Sequence, residues 1–400
     1  MRLSPAAKKA FLLGGLCSIS YLAVYVAKGA LSAATPHITE TGAFTTEQIG
    51  TLASVYFIVY AIGQLINGFI GDRIKAKYMI SFGLILASAG FLLLPQLAGL
   101  PNYAYIAYAS SGFFMAMIYG PMTKVVAENT EPEYATRCSV GYTMASFLGS
   151  PVAGILATVM VWPWLFRSTG GFLLLMGTVA FVCFSILEKK GIVKYGQFKQ
   201  KKSAKGNIKV LLKRDFVKFI FIAILTGVVR TSVVFWMPTY ISQHLGFEPN
   251  TATLIFSVAS FAFSFSAINA IVVYEKLKRN MDLTILLAFI AATVFFLLVF
   301  LVKQPIVNVV CMALAILGNN LASSMMWSRY CPSLYDTGMV STATGFLDAC
   351  SYLAASVSSK LFAQAAVTIG WGALILVWLG LMCGGVIVAL PWKKLKKVNV

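Results

Sequence analysis

Residues 227–240 read GVVRTSVVFWMPTY and sit inside an apolar run that extends from 215 to 242. A helix needs roughly 20 apolar residues to cross a hydrocarbon core of about 30 Å, so this run is long enough to span a membrane. It also keeps a permanent cation, Arg230, near its middle. Comparable runs recur near 10–36, 47–70, 77–98, 102–124, 138–160, 163–187, 251–274, 282–302, 305–328, 338–364 and 368–391. Numbered in chain order they are spans 1–12, and the opening stretch lies in span 7. Of the 400 residues, 59% are hydrophobic and 11% charged, and the mean hydropathy is +0.81. Those values exclude a soluble globular domain. The expected fold class is an all-α membrane protein with twelve transmembrane helices in two pseudo-symmetric six-helix bundles.

The expected organisation is a first bundle over 1–187, a basic cytoplasmic linker over 188–214 and a second bundle over 215–400. A net charge of +19 could suggest nucleic acid, but 27 of the 32 Lys and Arg residues fall on one side of the twelve-span arrangement. By the positive-inside rule that side is the cytoplasm, so both termini are expected there, in a cell (inner) membrane, and nucleic acid is not a partner. Residues 1–30 resemble a secretory leader, with Lys8 and Lys9 ahead of an apolar run. The run is too long for one, and it is read as a retained first helix. The seven cysteines show no CxxC spacing and read as packing residues. No P-loop, HExxH or nucleophile elbow is present, so the sequence offers no support for an enzyme, and neither cofactor nor metal is expected. The functional unit is taken to be a monomer in the lipid bilayer.

Three landmarks repeat at half the chain length. Lys28 precedes Pro36 by eight residues and Arg230 precedes Pro238 by eight, an offset of 202. Asp72–Arg73 returns as Glu275–Lys276 at 203, and YATR at 134 returns as YDTG at 335. Two repeats of one six-helix unit place a transporter's binding site at the repeat interface near the membrane midplane.

Lys28 and Arg230 each lie eight residues, about 12 Å of helix, before a proline. Lys28 could snorkel to the interface. Yet it shares one polar stripe with Ser18, Tyr21, Tyr25 and Ser32, at helical spacing. A guanidinium in hydrocarbon costs several kcal/mol unless it faces water or a partner. Asp348 in span 11 is the sole acid of the sequence well inside a span, and Tyr352 follows one turn on. Against two deep cations it leaves a surplus positive charge, which a small anion would satisfy. Tyr60 and Gln64 pair on span 2 at i, i+4. Asn319, Asn320, Ser323 and Ser324 cluster on span 10, either gluing helices together or, through Asn320, touching cargo. His37 and His244, just beyond spans 1 and 7, are given no role.

The segment NGFIGDRIKAK, 67–77, resembles the loop signature GxxxDRxGRR of the major facilitator superfamily through Gly68, Asp72 and Arg73. Within that superfamily the chain is most similar to the organophosphate:phosphate antiporters, carriers of glycerol 3-phosphate and hexose phosphates. Arg230 followed by Trp236, Pro238, Thr239 and Tyr240 resembles their helix 7 signature, and Lys28, Tyr21, Tyr25 and Tyr60 fall on their helix 1 and 2 positions. GPMTK in span 4 and GFLDACSYLAAS in span 11 also resemble family segments.

The resemblance implies that Lys28 and Arg230 bind the substrate's anionic group. Around them the expected substrate-binding set comprises Tyr21, Tyr25, Tyr60, Trp236, Asn320, Asp348 and Tyr352. The same resemblance gives Asp72 and Arg73 a gating role at the cytoplasmic helix ends, a plain structural cap being the alternative.

The chain departs from the family at three places. A lysine, Lys28, replaces the helix 1 arginine, Gln64 replaces a basic residue, and the helix 5 histidine near Ser146 is missing. Lysine lacks the bidentate fork that suits phosphate, so a carboxylate or zwitterion also becomes a plausible cargo.

The expected function is secondary active transport of a small organic anion by alternating access, in exchange for phosphate or another anion. Proton-coupled symport of a carboxylate such as a hexuronate or sialic acid, with Asp348 carrying the proton, stays open as the alternative. A non-transporting ligand sensor is the reading of another class; the short tails and intact Arg230 count against it.

Overall fold

The computed structural model describes residues 4–71, 74–195, 215–334 and 340–391. Each of the twelve predicted spans coincides with a helix or a broken helix, which makes the protein an all-α, multi-pass membrane protein. Among the described residues, eight helices are long and apolar enough to cross a membrane unaided, from Ala6–Glu40 to Gly370–Ala389. Large apolar side chains also face outward, including Phe11 at 73%, Ile106 at 70% and Val258 at 67% exposure. Hydrocarbon, unlike water, solvates such a surface.

The spans that fail the apolar test are broken or polar, and each case has a local cause. Span 4 consists of Pro101–Met115 and Tyr119–Asn129. Pro121 has no N–H to donate to the carbonyl of Met117, and the chain tightens just before it. There Met117 N–H donates to the Phe114 carbonyl at 3.1 Å and Ile118 N–H to that of Met115 at 3.3 Å, steps of three residues. Spans 5 and 11, Pro132–Val159 and Val340–Thr368, interleave their apolar residues with Gly, Ser and Thr. Span 8 comprises Pro249–Phe263 and Ser266–Lys276.

Span 7 runs as Phe216–Gly227, then a π-helical turn Val228–Val233, then Val234–Gln243. In the π turn the Val234 N–H reaches back five residues to the Val229 carbonyl. Span 10, Pro305–Met325, ends in a second π turn, Met326–Tyr330. Such turns widen the helix by one residue and redirect the side chains they carry.

By packing, the described residues form two units: spans 1–6 with residues 246–261, and span 7 with the remainder of spans 8–12. In the first unit, spans 1 and 5 meet along a seam of small residues. A Cβ at Gly149 would collide with Tyr25. Spans 3 and 4 meet the same way, because a Cβ at Gly90 would strike the Ala107 carbonyl and the Ser111 hydroxyl. The start of span 8 joins this unit through the Thr253 hydroxyl, which donates to the Ala33 carbonyl at 3.2 Å.

In the second unit a hydroxyl cluster ties span 7 to span 11. Ser232 Oγ lies 2.7 Å from Ser358 Oγ and 2.8 Å from Ser359 Oγ, and it donates to the Ala355 carbonyl at 2.9 Å. Between apolar helices in lipid, close approach and such bonds replace the hydrophobic effect as the source of cohesion.

Replacing Gly90 by valine overpacks the span 3–4 contact and is expected to cost about 1–3 kcal/mol. A lowered apparent melting temperature in detergent reports it. Gly171, with open space where its Cβ would sit, serves as the control, and Gly171→Ala is not expected to lower that temperature.

Candidate functional site

In the first unit the site builds on the polar stripe of span 1. The Lys28 ammonium lies 4.1 Å from the ring centroid of Tyr60 and 5.0 Å from that of Tyr25. Tyrosine faces attract a cation through their quadrupole, by up to about 2 kcal/mol where water is thin, and they leave its charge in place. Tyr21, one turn before Tyr25, is buried, and its hydroxyl donates to that of Tyr25 at 3.5 Å. Its ring packs against Tyr119 at 5.5 Å and Tyr142 at 6.3 Å. Tyr56 stacks on Tyr60 at 6.0 Å. Lys28, Tyr21, Tyr25 and Tyr60 are therefore brought together. The helical stripe does not reveal Tyr119 and Tyr142, which arrive from spans 4 and 5. Tyr119 opens the second half of the broken span 4, and the Gly120–Pro121 pair beside it was the available signal. Gln64 sits half-buried one turn beyond Tyr60.

In the second unit the π turn of span 7 carries Arg230 toward span 11. Its Nη2 lies 3.9 Å from Asp348 Oδ1 and 3.5 Å from Ser351 Oγ, and its guanidinium carbon is 6.0 Å from the Tyr352 ring centre. Asp348, Ser351 and Tyr352 occupy i, i+3 and i+4 of one helix, so a single face of span 11 receives the guanidinium. Sequence reasoning missed Ser351, although its i+3 spacing from Asp348 could have found it. The Arg230 side chain keeps 34% exposure and that of Asp348 24%, so neither charge is sealed in the packing.

Two predicted binding residues take different places. Trp236 is fully buried, and its indole N–H donates to the Ser359 carbonyl at 3.1 Å. That bond engages its sole side-chain donor in span 7–11 packing. Asn320 is half-buried and accepts from Asn319 Nδ2 at 3.4 Å, while Asn319 also donates to the Thr226 carbonyl at 3.2 Å. The span 10 cluster thus braces span 7. Asp72 and Arg73, the expected gate, lie outside the described residues, as do 196–214 of the expected linker.

The described neighbours of these segments form a charged knot. Glu188 bridges Lys75, at 2.7 Å, and Lys77. The Glu188 carboxylate, by hydrogen bond and charge, holds the Lys75 ammonium above its usual range. Just beyond, Asn129 clasps the backbone of Lys194, donating to its carbonyl at 2.9 Å and accepting its N–H at 2.7 Å.

Residues 17–359 match the Major Facilitator Superfamily. The membrane sensor protein UhpC of Salmonella typhimurium is 22% identical over 265 residues, 61% of this chain and 60% of that protein. The match therefore spans about 60% of that curated relative's length. UhpC of Escherichia coli strain K12 is 31% identical over 67 residues, 17% of this chain and 15% of the relative.

Solved structures match over nearly the whole chain. The xylose transporter XylE from E. coli, in a partially occluded inward open conformation, has a TM-score of 0.73 at 15% identity, covering 96% of this chain and 98% of that one. A mutant of the nucleoside transporter NupG has a TM-score of 0.72 at 11% identity, covering 94% and 98%. These likenesses carry the fold alone.

If Trp236 serves packing, Trp236→Phe removes one buried hydrogen bond and should cost about 1 kcal/mol of stability. A fall in apparent melting temperature with unchanged ligand affinity is the expected result; a shift in affinity alone would show that the residue belongs to the binding set.

Proposed function

The chain belongs to the major facilitator superfamily, a family of transporters rather than enzymes, and from that premise we propose that it is a secondary active transporter of a small organic anion, an organic phosphate or a similar molecule. It works by alternating access and exchanges its cargo for phosphate or another anion. One observation carries the reading: Arg230 lies in the middle of an apolar span, at the repeat position that answers to Lys28, and its guanidinium keeps 34% exposure. A cation kept at that depth is held beside Asp348 and Ser351, and its exposed face leaves room for an anionic cargo to join them. Lys28 provides the second positive charge, over Tyr25 and Tyr60.

In this reading both termini are cytoplasmic in an inner membrane, as the distribution of Lys and Arg favours. Residues 1–187 and 215–400 act as the two moving halves, 188–214 links them, and Asp72 with Arg73 latches the cytoplasmic helix ends. Moving one negative charge into a negative-inside cell costs about 2.3 kcal/mol per 100 mV, so uptake needs a leaving anion or an entering proton. The curated relatives are named sensors, which favours a second reading in which this chain binds its ligand and signals without carrying it.

Counterflow in proteoliposomes loaded with unlabelled phosphate, glycerol 3-phosphate or glucuronate separates these readings. Removing one member of a buried charge contact costs about 2 kcal/mol or more, so Arg230→Ala should weaken exchange by roughly 30-fold or more. Exchange that survives in Arg230→Ala at the wild-type level overturns the anion site. Binding of one of these anions without any exchange favours the sensor.

A further inference from the structure

We propose that Asp348 is a built-in counter-anion that competes with the cargo for Arg230, and that this competition lets the empty protein change conformation. The inference rests on the anion-carrier reading. Its starting point is how loosely the pair is made. A charge-assisted bond from a guanidinium to a carboxylate is about 2.7–2.9 Å long. Arg230 Nη2 and Asp348 Oδ1 stand 3.9 Å apart, and the Ser351 hydroxyl is at 3.5 Å. At such distances the carboxylate still neutralises much of the guanidinium field, but it does not occupy the donor fork. With 34% and 24% of the two side chains exposed, an arriving anion can reach the guanidinium without dismantling the helix contact.

The surroundings favour exchange of partners over a locked pair. Span 11 presents Asp348, Ser351 and Tyr352 on one face, so when an anion takes the guanidinium fork the Ser351 hydroxyl stays within reach of the same nitrogen. The Cys331 thiol, just after span 10, and Tyr352 on its own helix also lie near Asp348. Span 12 carries Cys383 as its sole titratable side chain. Arg230 is the cation that stands beside Asp348 in this unit. Lys28 lies over the rings of Tyr25 and Tyr60.

Two consequences follow. Cargo must displace Asp348, so its apparent affinity is reduced by the share of protein in which Asp348 holds Arg230. And once cargo departs, Asp348 discharges Arg230 again, so the unloaded protein keeps a low-cost route between its conformations. A carrier of this kind exchanges anions and also releases them in a net sense. Without the acid it becomes a strict exchanger with tighter binding.

The test compares wild type, Asp348→Asn and Asp348→Glu in proteoliposomes preloaded with labelled phosphate or glucuronate. Efflux into buffer with the same anion is measured beside efflux into anion-free buffer. In Asp348→Asn the ratio of net efflux to exchange should fall about tenfold and half-saturation of exchange should drop about tenfold, the effect of roughly 1.4 kcal/mol, with Asp348→Glu restoring both toward wild type. An unchanged ratio, or a half-saturation that stays or rises, overturns the proposal. Failure of the parent reading looks different: wild type and Arg230→Ala then exchange these anions equally, or neither exchanges them.

A second measurement needs no transport. The rate at which phenylglyoxal modifies Arg230 in detergent without added anion, read by mass spectrometry on correctly folded protein, should be several-fold higher in Asp348→Asn. Equal rates would overturn the proposal.

Discussion

A guanidinium cannot shed its proton, so a chain that keeps one halfway along an apolar helix must supply water, an acid or a ligand to it. That constraint organises the second unit. The π turn at Val228–Val233 turns Arg230 toward span 11, and span 11 answers with Asp348, Ser351 and Tyr352 on one face. The same two helices are then stitched together further along by the Ser232, Ser358 and Ser359 hydroxyls and by the Trp236 indole. Polar groups that would be a liability in lipid are spent within the helix pair, and the Arg230 guanidinium and Asp348 carboxylate keep appreciable exposure among them.

The two halves meet the same requirement by different chemistry. In the first unit the cation is a lysine on tyrosine faces, an arrangement that softens desolvation while preserving the charge. In the second it is an arginine beside a carboxylate. The repeat in the sequence is thus a repeat of position more than of environment, and the difference lies in span 11, where Asp348 stands. Lysine also gives up the forked geometry that phosphate favours.

The placement of the spans was legible in the sequence because a membrane imposes a long signal: some twenty apolar residues cannot be mistaken for a loop. The breaks inside the spans were not. A π turn adds one residue to a helix without changing its hydropathy, so nothing in GVVRTSVVF announces the turn at Val228–Val233. Lys28, Tyr21 and Tyr25 were readable from a stripe on one helix, whereas Tyr119 and Tyr142 come from other spans and depend on packing that no local pattern encodes. A signature that resembles a family's can mark both cargo contacts and the packing beneath them, and the full burial of Trp236 is likewise not written in any local pattern.

For Lys28 and Arg230 to serve as a cargo site, the protein must recognise negative charge on the ligand. Thermal unfolding in detergent tests this directly, because a ligand that binds the folded state raises the apparent melting temperature, more so the further its concentration exceeds its Kd. Glucuronate, glucose 6-phosphate and uncharged glucose present similar rings with different charges. At least one of the two anions should stabilise the wild-type protein while glucose does not, and Arg230→Gln should erase the gain. Stabilisation by glucose equal to that by the anions, or an anion effect that persists undiminished in Arg230→Gln, would contradict the claim that these cations are there to hold an anion.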